Sequence, residues 1–256
     1  VGYFKETAML KHIGLVFTTA LTFMAVSQCK AATMEEILSV NWNKQSLPEL
    51  KRLIPDQKAA QQFAIEVRLK EPHTERDNVY KLDIESDVVD EYEFVDLKGD
   101  GNVEFVCLLD NGGRMRPTRL MVVENDHGQL KTAYLTGGEG GYGLGELRYI
   151  LKDVKHDGKT EITTSDPLEP FAGGEEPTPY MEHIYVYKGG KLVQSDHDFL
   201  DYYRNESLPQ RRQELNDLLQ HSPPQGASRS EREFYRKSIA AKQEEIAALR
   251  KLLSNP

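Results

Sequence analysis

The sequence predicts a mainly β chain, with blade-like antiparallel sheets over residues 60–197 and helical flanks on both sides. Three observations carry this. Asp96-Leu97-Lys98-Gly99-Asp100-Gly101-Asn102-Val103-Glu104 returns as Asp153-Val154-Lys155-His156-Asp157-Gly158-Lys159-Thr160-Glu161, with acidic residues at positions 1, 5 and 9 and glycine at position 6, where a tight loop needs backbone freedom. Short apolar or alternating runs fill the stretch around both copies. From Asp198 the composition turns to helix formers.

Along the chain, Met34 to Asn41 reads as a short helix. Ser46-Leu47-Pro48-Glu49 has the form of a capped helix start, with Ser at the cap and Glu three residues on. A helical lead-in over residues 32–59 follows from these. Strands are expected at Phe63 to Leu69, Val79 to Ile84, Tyr92 to Val95, Val103 to Leu109, Leu120 to Val123, Leu130 to Leu135, Leu147 to Leu151, Thr160 to Thr164, His183 to Tyr187 and Lys191 to Val193. Met121 to Leu130 and Ile184 to Val193 each read as a hairpin, so a unit of strand, acidic loop, strand and hairpin occurs twice. Beyond it lies a helical appendage over residues 198–256. It holds helix at Phe199 to Asn205 and Leu208 to Gln220, a Ser222-Pro223-Pro224-Gln225-Gly226 linker, and a last helix opened by a capping box at Ser230 to Glu233. Tyr235, Ile239, Lys242, Ile246, Leu249 and Leu253 form a stripe on that helix. It suits packing on the chain's own domain or a weak coiled coil, and thus a weak homo-oligomer through residues 230–253.

The 256 residues suffice for one substantial core with a smaller appendage. A formal charge of −9, with no dense basic cluster, argues against a nucleic-acid partner. Residues 1–31 read as an upstream extension, Val1 to Ala8, followed by a signal peptide: a charged start at Met9-Leu10-Lys11-His12, an apolar run from Ile13 to Val26, and small residues after it. That run is short for a membrane span, so the mature chain is expected to lack a transmembrane helix and to be exported, periplasmic or secreted. Cleavage after Ala31 leaves Cys107 alone, and cleavage after Ser27 keeps Cys29 as well. Gln28 departs from the pattern that precedes a lipidated cysteine, which favours a freely exported chain over a lipid anchor at Cys29. Cys107, inside an apolar run, reads as a buried inert thiol.

The two acidic loops resemble the FG-GAP/VCBS-type repeats of integrin alpha chains and many exported bacterial proteins, whose pattern is Asp-x-Asn/Asp-x-Asp-Gly-x-x-Asp/Glu before an aliphatic strand. Asp96, Asp100, Gly101 and Glu104 match it, as do Asp153, Asp157, Gly158 and Glu161. The resemblance implies a partial β-propeller, its closure left open because two blades are recognisable where a ring takes at least four. It also implies calcium at Asp96, Asp100, Asn102 and Glu104, and at Asp153, Asp157 and Glu161. The third position departs from the pattern in both copies: Lys98 and Lys155 stand where an oxygen ligand belongs, and an ammonium cannot coordinate a cation. No other cofactor is suggested.

The remaining motifs carry little chemistry. Six glycines crowd Gly137 to Gly145, but the strand expected next, Glu146 to Leu151, offers no helix N-terminus to a phosphate. Asp196-His197-Asp198 is the tightest ionisable cluster and reads as a solvated turn. Asp166, Glu169, Glu175 and Glu176 form an acidic loop whose carboxyl separation would decide any glycosidic chemistry. The sequence thus points to a noncatalytic interaction module with a protein or glycan partner of the cell envelope, gripped by the loops Gly137 to Gly145 and Glu169 to Thr178. The alternatives are an exported hydrolase using acidic loop residues, and an oligomeric structural protein assembled through the last helix.

Overall fold

The computed structural model describes residues 33–70, 87–110, 119–126, 129–136, 144–168, 177–221, 223 and 225–255. The signal segment, the expected strand Val79 to Ile84, and most of the loops Gly137 to Gly145 and Glu169 to Thr178 lie outside these residues.

Two four-stranded antiparallel sheets form the centre, each a simple meander. The first runs β1 (Val88–Val95), β2 (Glu104–Asp110), β3 (Arg119–Asp126), β4 (Gln129–Thr136); the second runs β5 (Leu151–Lys152), β6 (Glu161–Pro167), β7 (Tyr180–Lys188), β8 (Lys191–Gln194). Strand alternation assigns the faces. On β2, Phe105, Cys107 and Leu109 face the N-terminal helices, while Val106 and Leu108 face the second sheet, so both faces are buried. The same burial pushes the Cys107 thiol up and keeps it protonated.

Helices cover the outer face of each sheet. The first sheet carries α1 (Met34–Ser39), α2 (Leu47–Leu53) and α3 (Gln57–Lys70), with Trp42, Phe63, Phe94 and Phe105 in mutual edge or tilted contact. The second carries α5 (Leu200–Tyr202), continuing through a π turn at Tyr203–Ser207 into α6 (Leu208–Gln220), and then α7 (Arg229–Ser254). The order of layers is helix, sheet, sheet, helix. The mainly β expectation therefore holds only for the centre, since among the described residues helix outweighs strand at about 47 % to 30 %. The sheets close no barrel. Each outer face of the two described sheets buries its apolar side chains under helices.

Three elements differ from expectation. Phe63 to Leu69 is helix, because Ala60, Phe63, Ala64 and Val67 fall at i, i+3, i+4 and i+7 and all four are buried. The lead-in therefore runs to Lys70 and the β region begins at Val88. Leu147 to Leu151 is one turn of helix, α4 (Leu147–Ile150), which buries Leu147 and Ile150 between the sheets before the short β5. The helix N-terminus denied to the glycine-rich loop is thus present, but only as a single turn. The last helix is capped by Ser228, not Ser230: Glu231 accepts from the Ser228 N–H at 2.6 Å, and the Ser228 hydroxyl accepts from Glu231 N–H at 3.2 Å.

The stripe on α7 is covered by the chain itself over its C-terminal half. Ile246 and Leu249 pack with Val154, Met181, Ile184, Phe199, Tyr203 and Leu208. The polar member of the stripe, Lys242, bonds Glu214 of α6 at 2.8 Å and Glu245 at 2.6 Å, which accounts for a lysine on an apolar face.

Candidate functional site

The acidic loops share one backbone design. The Asp96 carboxylate accepts N–H bonds from Gly99, Asp100 and Gly101, and that of Asp153 accepts from Asp157 and Gly158. Asp100 and Asp157 each accept from the N–H two residues on, at Asn102 and Lys159. Glu104 and Glu161 reach back to the N–H groups of Leu97 and Val154, at 2.9 Å in both copies. Positions 4 and 6 are left-handed throughout, Gly99 and Gly101 at φ 66° and 83°, His156 and Gly158 at 55° and 84°. The carboxylates of the pattern are thereby engaged with the loop's own amides. Among the described residues no group of three or more His, Cys, Asp or Glu side chains is placed to hold an ion. The two loops also abut, since a Cβ on Gly99 would collide with the Lys159 side chain.

The lysines at the third position take different courses. Lys98 turns inward: its Nζ lies 2.8 Å from Glu124, 3.2 Å from Glu104 and 3.4 Å from Asp100, and Glu124 also accepts from the Tyr187 hydroxyl of the second sheet at 3.1 Å. Burial alone would lower the ammonium, and the bonds to Glu124 and Glu104 outweigh it, so Lys98 stays charged well above the usual lysine range. Burial pushes Glu104 up to about 7 against the pull of the Leu97 N–H and Lys98. Lys155 instead lies over the Phe199 ring at 4.3 Å. Register explains the difference. Phe105 pairs with Val123 and Ile162 with Tyr185, so the second-repeat residue equivalent to Glu124 is Val186. A valine offers an ammonium nothing. Aligning the hairpins from Met121 and Ile184 would have equated Glu124 with Tyr187, one residue off, which puts the side chain on the wrong face.

A second ionisable cluster departs from the sequence reading. Asp196 pairs with His183 rather than with adjacent His197: Oδ2 is 2.7 Å from His183 Nδ1 and accepts from Gln194, while Oδ1 accepts from Ile184 N–H at 2.8 Å and the Tyr203 hydroxyl at 2.9 Å. His183 Nε2 lies 4.0 Å from Asp166. The signal was in the hairpin. Gly189 and Gly190, both at positive φ, make the two-residue turn, and counting outward from Lys188 opposite Lys191 sets His183 opposite Asp196. Burial would lower the imidazole pKa, but the Asp196 bond and the charges of Asp166 and Glu182 prevail, so it is raised above 6.5. A raised histidine contributes stability that is fully present below pH 6.5 and lost as pH rises through the folded value. His183→Gln is therefore expected to lower stability by about 1–3 kcal/mol at pH near 5.5 and by less at pH near 8.5. Urea melts at the two pH values check this, and equal losses would show that the imidazole acts as a neutral group.

A cleft of about 570 Å³ opens between the first strands of the two sheets. Residues 90–95 of β1 form one wall, and Leu147, Arg148, Leu151 and Thr160 the other. Among the described residues both β1 and β5 are edge strands, each with a single ladder partner. Arg148 is neutralised by Glu146 at 2.6 Å, and Glu91 anchors α4 by accepting from the Leu147 N–H at 2.9 Å. No described helix is long and apolar enough to cross a membrane. Comparisons of the chain with protein-family models, with curated proteins and with solved structures found no match.

Proposed function

We propose that this chain is an exported, noncatalytic interaction module, and that its binding surface is the cleft between β1 and β5. The observation that supports this is the cleft itself: among the described residues two edge strands border one groove, lined by Tyr92, Phe94, Val95 and Leu151 together with Asp90, Glu91, Glu93 and Arg148. The ionisable clusters elsewhere serve the fold, as at Lys98, where every acidic neighbour is bonded to loop amides or to the ammonium. The reading needs no cofactor. It moves the surface away from the loops Gly137 to Gly145 and Glu169 to Thr178, which lie largely outside the described residues, to the strands β1 and β5.

A photo-crosslinking amino acid placed at Thr160, compared with one at exposed Leu219 on α6, tests the site in the envelope fraction of an exporting cell. A discrete adduct from Thr160 and none from Leu219 is the expected result. Equal labelling, or none from the cleft, would overturn the reading. The alternative, a hydrolase using acidic loop residues, has in Asp166 its one described carboxylate, 4.0 Å from His183 Nε2. It requires that Asp166→Asn abolish a hydrolytic activity while leaving the Thr160 adduct intact.

A further inference from the structure

We infer that the cleft takes an extended, basic polypeptide segment, which adds to the outer edge of β1 as a fifth strand of the first sheet. This rests on the cleft being the binding surface. The inner side of β1 pairs with β2 from Val88 opposite Asp110 to Val95 opposite Glu104, with a bulge at Asp90. The outer side is treated unequally. Up to the bulge, α3 supplies side-chain amides in place of a neighbouring strand: Gln57 donates to the carbonyls of Val89 and Asp90 at 2.6 and 3.1 Å, and Gln61 accepts from Val89 N–H and donates to the Asp87 carbonyl. Beyond it, among the described residues, no backbone or side-chain group bonds the outward backbone of Glu91 to Val95. Five residues of strand span about 17 Å, enough for main-chain bonds to a short extended segment.

Charge selects the occupant. Asp90, Glu91 and Glu93 line the cleft against one guanidinium, Arg148, and the neighbours Lys51 and Glu146, which pair with Glu93 and Arg148, leave that balance unchanged. A second copy of this chain meeting the same edge would set these carboxylates against their own counterparts, the usual device by which edge strands resist self-pairing. A segment with lysine or arginine at alternate positions meets no such repulsion. With its cations in register with Glu91 and Glu93, its intervening apolar side chains fall beside Tyr92 and Phe94, on the β1 face toward the N-terminal helices.

The test uses the mature chain and a short capped peptide alternating lysine with valine, against two controls: the same peptide with glutamate for lysine, and one N-methylated at alternate residues. The lysine peptide is expected to bind, to slow amide exchange within Glu91–Val95, and to weaken as salt rises. N-methylation on the pairing face should abolish binding. Asp90→Lys with Glu93→Lys should weaken it roughly tenfold, with an unchanged melting profile showing that the fold persists. Equal binding of the N-methylated peptide would overturn strand addition, and equal binding of the glutamate peptide would overturn the charge argument. If Thr160 still crosslinks a partner while the lysine peptide fails to bind, the cleft stands as the binding surface and the strand-addition inference falls. No perturbation of β1 by peptide and no adduct at Thr160 would remove both.

Discussion

Replacing Lys98 with methionine is expected to destabilise the protein by about 3–5 kcal/mol near pH 8, because the substitution leaves Glu104 and Glu124 without their shared cation. Glu104 has a side chain only 1 % exposed, and Lys98 is the cation that faces it. The deficit should shrink as the pH falls. The Glu104 carboxyl already titrates at about 7 rather than 4.5, and removal of the ammonium raises it further, so acid protonates the orphaned group and relieves the penalty. At a domain of this size the loss near pH 8 corresponds to a Tm lower by roughly 10 °C. Lys155→Met is the control, since it forfeits a contact with the Phe199 ring and a minor attraction to Glu161, and should cost no more than about 1 kcal/mol. Thermal melts of both variants at two pH values decide the matter. Equal losses from the two substitutions would show that the inward lysine is not the element that holds the two sheets through Glu124 and Tyr187.

Ile246→Asp combined with Leu249→Asp is expected to have a still larger effect, more than about 5 kcal/mol, by adding the cost of two buried carboxylates to the loss of two apolar side chains. Both residues are nearly inaccessible, at 5 % and 3 % exposure, inside the core shared by the second sheet and helices α5 to α7. A loss of that size is comparable to the whole stability of many domains, so α7 should detach or the chain should unfold. Helix content and limited proteolysis after the Ser228 cap read this out. Ile246→Val, which removes one methylene, should cost only about 1 kcal/mol and keep the helix docked. An Asp variant that keeps its melting temperature but changes its size in solution would instead make the stripe an interface between copies.

Much of the centre is legible in the sequence because its signals are local. Aspartate at position 1 and glycine at position 6 specify the loop, since one carboxylate can gather the amides of the next turn only if position 6 adopts a left-handed backbone. The second hairpin follows from alternation around its two-residue turn, and Gly189-Gly190 contains enough register to place His183 opposite Asp196. Phe63 to Leu69 and Leu147 to Leu151 mislead because a short apolar run fits strand and buried helix equally well, and only the layer packed against it separates them. The capping of α7 at Ser228 rather than Ser230 is a choice between two similar local motifs, settled by where the chain enters the helix.

What the sequence by itself determined is the repeated unit: two acidic loops, each closed by its own carboxylates, and two meanders that each present an apolar face. Only the tertiary structure decided what those faces meet. Helices cover the outer faces, so the two described sheets stack as inner layers and close no barrel. The same arrangement separates two lysines in near-identical loops. Lys98 looks into the boundary between the sheets, where Glu124 and Tyr187 wait, and Lys155 looks toward the helical layer, where Val186 and Phe199 offer an apolar strand and a ring. An ammonium goes where its charge is best matched, and that match depends on residues more than twenty positions away in the chain.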